Sequence, residues 1–535
     1  MTDTDSHDPR PPGEIGGDGD LRTHQPESGG HRQPDQAEAN GHLRTDQAEA
    51  NLRTRAVRGG LATMGVQAFQ FSLGLASTAI LARLLMPSDF GLIAMAATLT
   101  NLLLPFADVG LSALTVQIRS LTETQATTLF WINVGLGLAI TALLIGLAPG
   151  VAWFYEEPEL VAPTVALALA FAVGGLGVQH SALLRRQMRF ESLAVVQVCS
   201  LTMGVAAGVA GALAGAGYWA LVFMSLAQQV AYVTGAWLVS GWRPGFSFRY
   251  DSIRPMLSFG AGLTGFRVLT YLANNADNVV IGRVVGTTAL GLYSKAYSLL
   301  LLPVRRVRGP AAEVVVPALS RLQDDTARFR DYYLKAITLV TAVGMPLVAS
   351  LFVFAQEAVL LVLGPQWQES VPLFQALAPA AFLGTFNVAG SWACMPFGRT
   401  GRLFRWQVLA TSGLVVAFLI GARWGALGVA IGLSVATVVL RVPAVVYLLR
   451  GSPVRPLDLL AAITRPACAS LIAGAVVFAL RDTLASGFGP AVTLAAGFAS
   501  FSVLYALVWI VPPGGRAVIG DFRPLLDDLW PGGDR

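Results

Sequence analysis

From about residue 59 onward the chain alternates long apolar runs with short polar breaks. The runs exceed the length of ordinary buried strands and lack ten-residue apolar/polar alternation, so they predict helices rather than the strands of a membrane barrel. The predicted spans are 59–82, 90–112, 125–148, 160–181, 193–215, 218–240, 256–281, 287–304, 334–355, 371–395, 406–422, 425–448, 463–481 and 490–511. At a rise of about 1.5 Å per residue, most reach across a hydrocarbon layer about 30 Å thick. The segment Pro310 to Tyr333 is amphipathic and basic, and is predicted to lie on the cytoplasmic face as the connector of the eighth and ninth spans. The first 55 residues carry almost no large apolar side chains, which predicts disorder. Within them Asp35-Gln36-Ala37-Glu38-Ala39-Asn40 recurs at Asp46 to Asn51.

Composition turns this pattern into a class. The chain is 54% hydrophobic and 13% charged, with a mean hydropathy of +0.59, where a soluble domain carries about 25% charged residues. The expected fold is an all-α polytopic membrane protein with about fourteen transmembrane helices. The sequence pI near 9.3 does not indicate nucleic acid, because the basic residues sit in the polar breaks rather than on one domain. One alternating set of breaks holds nearly all of them, including Arg185, Arg186 and Arg189, the group Arg305, Arg306 and Arg308, and Arg441 and Arg450. The other set has Arg83, Arg283, Arg423 and Arg481 beside the acidic Glu156, Glu157 and Glu159. This asymmetry predicts a multi-pass protein of the cytoplasmic membrane with both termini inside. The three cysteines form no C-x-x-C, and no metal site or cofactor is expected.

An internal repeat organises the spans. Ala82-Arg83-Leu84-Leu85 and Phe90-Gly91-Leu92 match Gly282-Arg283-Val284-Val285 and Leu290-Gly291-Leu292 at an offset of 200 residues. Leu102-Leu103-Leu104-Pro105 matches Leu300-Leu301-Leu302-Pro303, and Gly215-Ala216 matches Gly421-Ala422, in the same order. Two parallel six-helix repeats are therefore expected, as in many transporters. The predicted organisation is a tail at 1–55, an N-lobe at 56–241, a C-lobe at 242–450, and two extra helices with the C-terminus at 451–535.

The motif set resembles the polysaccharide-exporter branch of the multidrug/oligosaccharidyl-lipid/polysaccharide flippase superfamily, which includes O-antigen flippases acting in lipopolysaccharide biosynthesis. The resemblance rests on Ala82 to Gly91, Ala107-Asp108-Val109-Gly110-Leu111, and Leu184-Arg185-Arg186-Gln187-Met188-Arg189-Phe190. It continues through Ala276-Asp277-Asn278, Leu290 to Tyr297, and Pro317-Ala318-Leu319-Ser320-Arg321-Leu322. It implies two lobes around a central cavity that opens alternately to either side. The implied cargo is a polyprenyl-diphosphate-linked oligosaccharide, and the implied pathway is cell-surface polysaccharide synthesis.

Such a cargo is anionic and rich in hydroxyls, so its path needs cations and hydrogen-bonding groups. Arg267 falls near the middle of the span 256–281, where an unpaired arginine costs at least ~2.5–3.5 kcal/mol. Tyr271, Asn274 and Asn278 follow it on one helical face, with Asp277 about 80° away. Gln67 is the repeat-related counterpart of Arg267, and Lys295 is a second cation inside a span. Arg267 and Lys295 are the expected diphosphate contacts, and Gln67, Asn274 and Asn278 the expected sugar contacts. The plain structural alternatives are an Arg267 to Asp277 ion pair, a snorkelling Lys295, local capping by Asp277 and Asn278, and interfacial anchoring by Arg83, Arg283 and His180. No phosphate-binding G-x-x-x-x-G-K-[ST] loop is present, which leaves an H+ or Na+ gradient, a partner such as the polysaccharide polymerase machinery, or removal of product as the driving force. The rival transporter is a drug or cation antiporter of the same superfamily, which needs membrane-embedded carboxylates. A multi-spanning polymerase or ligase needs a sizeable exterior catalytic loop, so no enzyme activity is expected.

Overall fold

The computed structural model describes residues 65–108, 110–118, 121–246, 271–272, 274–481 and 489–511, and every regular element among them is helical. Within hydrocarbon a peptide group has no water to bond, and a helix satisfies it internally. The first half contains α1 (Gly65–Leu84), α2 (Pro87–Asp108), the short α3 (Leu111–Gln117), α4 (Glu123–Tyr155), α5 (Val161–Arg186), α6 (Phe190–Leu213) and α7 (Trp219–Ser240). Next comes α8, described at 271–272 and 274–284. The second half continues with α9 (Thr287–Arg321), α10 (Thr326–Val353), α11 (Ala355–Val362), α12 (Ser370–Gly384), α13 (Val388–Cys394), α14 (Thr400–Gly421), α15 (Gly425–Leu449), α16 (Pro456–Ala479) and α17 (Pro490–Ile510). Eleven described stretches are long and apolar enough to cross a membrane, and the longest, Thr400–Leu449, joins α14 and α15, each of more than 20 residues. The chain is an all-helical, multi-span membrane protein.

Local chemistry sets several boundaries. Thr122 Oγ1 accepts from the amide of Gln125 at 3.2 Å, and Gln125 Oε1 accepts from the amide of Thr122 at 3.0 Å. This reciprocal cap starts α4 two residues before the predicted span. Asp325 caps α10 through the amide of Arg328 at 3.0 Å, which brings that helix in earlier than predicted.

The largest departure from expectation is α9. It runs 35 residues, through Pro303, Pro310 and Pro317, where the sequence predicts an end at 304 and a surface-lying connector from 310. Ala311, Val315 and Leu319 instead pack in one core with Phe329 and Tyr333 of α10 and Trp392 of α13. Protein covers the apolar side of this segment, so it forms part of the bundle rather than a surface helix. His180 departs as well: it is fully buried, stacked at 4.2 Å on Trp237 with Phe130 and Trp242 edge-on, instead of lying at an interface.

The helices of the first half pack on one another mainly through α4 with α5 and α6 with α7. Those of the second half do so mainly through α10 with α16 and α14 with α15. Small residues permit these approaches. A Cβ on Gly204 would stand 2.7 Å from Gln228 Cβ, and one on Gly432 would stand 2.8 Å from the carbonyl oxygen of Ala417.

The two halves join through α2 and α9, at residues related by the 200-residue offset. A Cβ on Gly91 would overlap the carbonyl oxygen of Thr287, and one on Gly291 would overlap that of Pro87. The contact is reciprocal, as a two-fold relation between the starts of α2 and α9 requires. The repeated arginines follow the same relation. Arg83 donates to the carbonyl of Leu361 at 2.6 Å, and Arg283 pairs with Glu156 Oε1 at 2.6 Å. Glu156 takes a left-handed conformation, φ 60°, to end α4 and present that carboxylate. Arg83 and Arg283 thus bridge the halves and are not simple interfacial anchors.

Trp367 completes this joint. It is fully buried, its Nε1 donates to the carbonyl of Ala82 at 2.7 Å, and its ring meets Phe90 edge-on at 5.4 Å. Beside it Gln366 Nε2 donates to the carbonyls of Ala82 and Leu85. Truncating a buried aromatic leaves a cavity that neighbours fill only in part. Trp367→Ala is expected to lower stability by ~3–5 kcal/mol, read as a reduced unfolding midpoint in detergent micelles.

Candidate functional site

A chamber of about 790 Å³ opens among α8, α9, α12, α13, α14 and α15. Its polar wall is built by helical spacing. Arg305 and Arg308 lie three residues apart on α9, one turn beyond Leu301 and Val304, and face the same space. Arg441 enters from α15, where its Nη1 donates to Asn387 Oδ1 at 2.9 Å and its guanidinium lies 5.0 Å from the centre of the Phe386 ring. Arg305, Arg308 and Arg441 thus line one space from two helices. None of the ion pairs found among the described residues involves these three arginines. The buried Nε atoms of Arg308 and Arg441 have no hydrogen-bond partner among the described residues.

Among the described residues Asp277 is the single carboxylate on the chamber wall, against three guanidinium groups. Its Oδ2 accepts from the Tyr293 hydroxyl at 2.7 Å and its Oδ1 from the amide of Asn278 at 2.9 Å. The remaining polar wall includes Asn274, Ser391, Gln407, Thr437 and Trp406. An excess of forked, permanently charged donors, with amides and an indole nearby, suits an anion bearing hydroxyls.

The residues singled out from sequence are distributed among several places. Asn274 and Asp277 line the chamber. Asn278 Nδ2 donates to Asn275 Oδ1 at 3.3 Å. Tyr271 turns to the other side of α8, where its hydroxyl donates to the carbonyl of Thr98 on α2 at 3.0 Å. Lys295 is half-buried in the joint between halves, its ammonium 4.1 Å over the ring of Phe90. Gln67 is exposed on α1 and does not line the chamber. Arg267 lies outside the described residues. Sequence reasoning missed Arg305, Arg308 and Arg441 as site residues, because ending the span at 304 placed the first two in a cytoplasmic loop, and Arg441 was counted with the loop arginines although it falls inside the predicted span 425–448. Their signal was the i, i+3 spacing of Arg305 and Arg308 within an uninterrupted helical period, and Arg441 inside an apolar run.

Comparison with known proteins adds the family. A family profile described as "Polysaccharide biosynthesis protein" matches residues 80–372, more than half of the chain. The lipopolysaccharide biosynthesis protein WzxC of Escherichia coli K12 is 28% identical over 389 residues, covering 71% of this chain and 78% of that protein. The succinoglycan biosynthesis transport protein ExoT of Rhizobium meliloti 1021 is 28% identical over 447 residues, covering 82% and 89%. In fold the chain is similar to the lipid II flippase MurJ in an inward closed conformation, with a TM-score of 0.67 at 14% identity, covering 87% of this chain and 99% of that one. The match over residues 80–372, with its motifs placed on α2, α8 and α9, means that the chain belongs to the polysaccharide biosynthesis protein family of multi-span membrane proteins.

Proposed function

We propose that this protein is a flippase, moving a polyprenyl-diphosphate-linked oligosaccharide across the cytoplasmic membrane for cell-surface polysaccharide synthesis. The observation that carries this reading is the chamber wall: among the described residues, three arginines outside every ion pair face one space with a single carboxylate. Like charges gathered on one cavity wall between helices are costly unless an ion or water meets them. The diphosphate is the anion that meets them, the amides of Asn274 and Gln407 bond sugar hydroxyls, and Trp406 offers a face to a sugar ring.

In this reading residues 56–241 and 242–450 form two lobes, repeats of six helices each, while 451–535 add two helices and the tail at 1–55 lies in the cytoplasm with the C-terminus. Transport proceeds by alternating access, with the joint at Gly91 and Gly291 closing the outer side and the chamber open to the inner side. Arg267 and Lys295 serve the anion at later stages of the path, with Gln67, Tyr271, Asn278 and Asp277 beside it. An H+ or Na+ gradient, or the polymerase that consumes the product, supplies direction. A drug or cation antiporter would place its excess charge the other way round. Full-length protein in liposomes with a fluorescent polyprenyl-diphosphate oligosaccharide is expected to give protein-dependent transfer between leaflets. Efflux of a cationic dye, with no transfer of the lipid-linked sugar, would replace this reading by the antiporter.

A further inference from the structure

A second cavity, of about 530 Å³, lies on the opposite side of α8 and α14 from the arginine chamber. Both helices serve both spaces. On α8, Asn274 and Asp277 face the chamber while Asn275 and Val279 face the second cavity. On α14, Ala410 and Leu414 face the chamber while Thr411 and Val415 face the second cavity. The far wall comes from Leu102 of α2 and Val151 of α4, and no charged side chain lines the slot among the described residues. Leu147, Phe154 and Leu272 on its lining are 41%, 41% and 45% exposed, so the slot is open on an apolar side.

The polar side chains on this wall are mostly committed already. Tyr271 donates to the carbonyl of Thr98 at 3.0 Å, and Thr98 Oγ1 to that of Ala94 at 2.7 Å. Asn275 Nδ2 donates to the carbonyl of Tyr271 at 2.9 Å while its Oδ1 accepts from Asn278. Thr411 Oγ1 donates to the carbonyl of Gln407 at 2.7 Å. What remains for a ligand is the Tyr155 hydroxyl and hydrocarbon, so this space recognises neither a headgroup nor a sugar. Its volume falls within the ~300–1,000 Å³ of small-molecule sites, enough for part of a long chain.

We propose that this slot holds a stretch of the isoprenoid chain of the lipid-linked substrate while the diphosphate and sugar occupy the arginine chamber, the chain passing between α8 and α14. The inference rests on the flippase reading above, since an amphipathic cargo needs an apolar and a cationic compartment side by side. A bilayer phospholipid is the competing occupant, and it would reach the slot from the open edge without engaging the chamber.

The test uses the full chain in liposomes and three photoreactive probes: a polyprenyl diphosphate with a diazirine near the chain end, a farnesyl diphosphate with the diazirine beside the phosphates, and a phosphatidylglycerol with a diazirine in one acyl chain. The chain-end probe is expected to label Leu102, Val151 and Val279, and the phosphate-side probe the chamber. A Cβ on Gly150, which lines the slot, meets nothing within 4 Å, so the side chain of Gly150→Phe can leave the helix there without a clash at its first carbon and place its ring in the slot. It should reduce chain-end labelling at least tenfold and leave phosphate-side labelling of the chamber intact. Val415→Trp, entering from α14, should do the same. Equal labelling of the slot by the phosphatidylglycerol probe, or chain-end labelling unchanged in both variants, overturns the proposal. Chain-end labelling of the slot with no chamber labelling by the phosphate-side probe would keep the slot and overturn the reading of the chamber.

Discussion

Arg441→Glu is expected to abolish transfer of the lipid-linked oligosaccharide while leaving the protein folded. The guanidinium reaches the chamber from α15, held by Asn387 and lying against Phe386, with no carboxylate paired to it among the described residues. Removing it therefore breaks no ion pair there, and the reversed charge still shares the chamber with Arg305 and Arg308. The loss falls on the ligand. A charge-assisted hydrogen bond is worth ~1.5–3 kcal/mol, so the neutral variants Arg441→Ala and Arg308→Ala should each weaken diphosphate binding roughly ten- to 150-fold. A carboxylate facing the diphosphate adds repulsion to that loss. Arg441→Lys keeps the charge without the planar fork and should retain partial activity. Leaflet transfer in liposomes measures the effect, and an unchanged unfolding midpoint separates it from a folding defect. Full activity in Arg441→Glu would remove the chamber from the transport path.

Gly91→Ala and Gly291→Ala are expected to open the joint between α2 and α9, and to do so equally. At each position the new methyl group overlaps a backbone carbonyl oxygen, which cannot rotate away as a side chain can. The helices must separate. Overpacking a tight contact costs ~1–3 kcal/mol, which displaces a two-state equilibrium by about 5- to 150-fold. Gln366 lies at this joint, its amide bonded to the carbonyl of Leu85 at 2.9 Å. A Gln366→Cys reporter in a cysteine-free background should then react faster with a membrane-impermeant thiol reagent when either glycine is replaced. Equal acceleration in both variants follows from the reciprocal contact. An unchanged rate would mean that the glycines pack the helices without governing their opening.

Much of this was legible along the chain. Apolar runs of spanning length lead to helices whatever their neighbours, because a peptide group in hydrocarbon has no other partner. The offset of 200 paired Arg83 with Arg283 and Gly91 with Gly291 before any contact was visible. The family resemblance was legible too, since it rests on local motifs. Helix ends were less so: Pro303, Pro310 and Pro317 each signal interruption locally, yet α9 continues through all three because its apolar face is covered by α10 and α13. That single boundary moved Arg305 and Arg308 from a loop to a chamber wall.

By itself, then, the sequence determined the solvent this protein lives in, its helical character and its family, all of which depend on the order of residues along one chain. Tertiary structure alone decided which charges face one another. Arg308 and Arg441 are separated by 133 residues and meet only because α9 and α15 border the same space. Periodicity places a residue on a face of its own helix, and it carries no information about which helix that face will meet. For the same reason Tyr271 and Asn274, neighbours on one predicted stripe, look into different cavities.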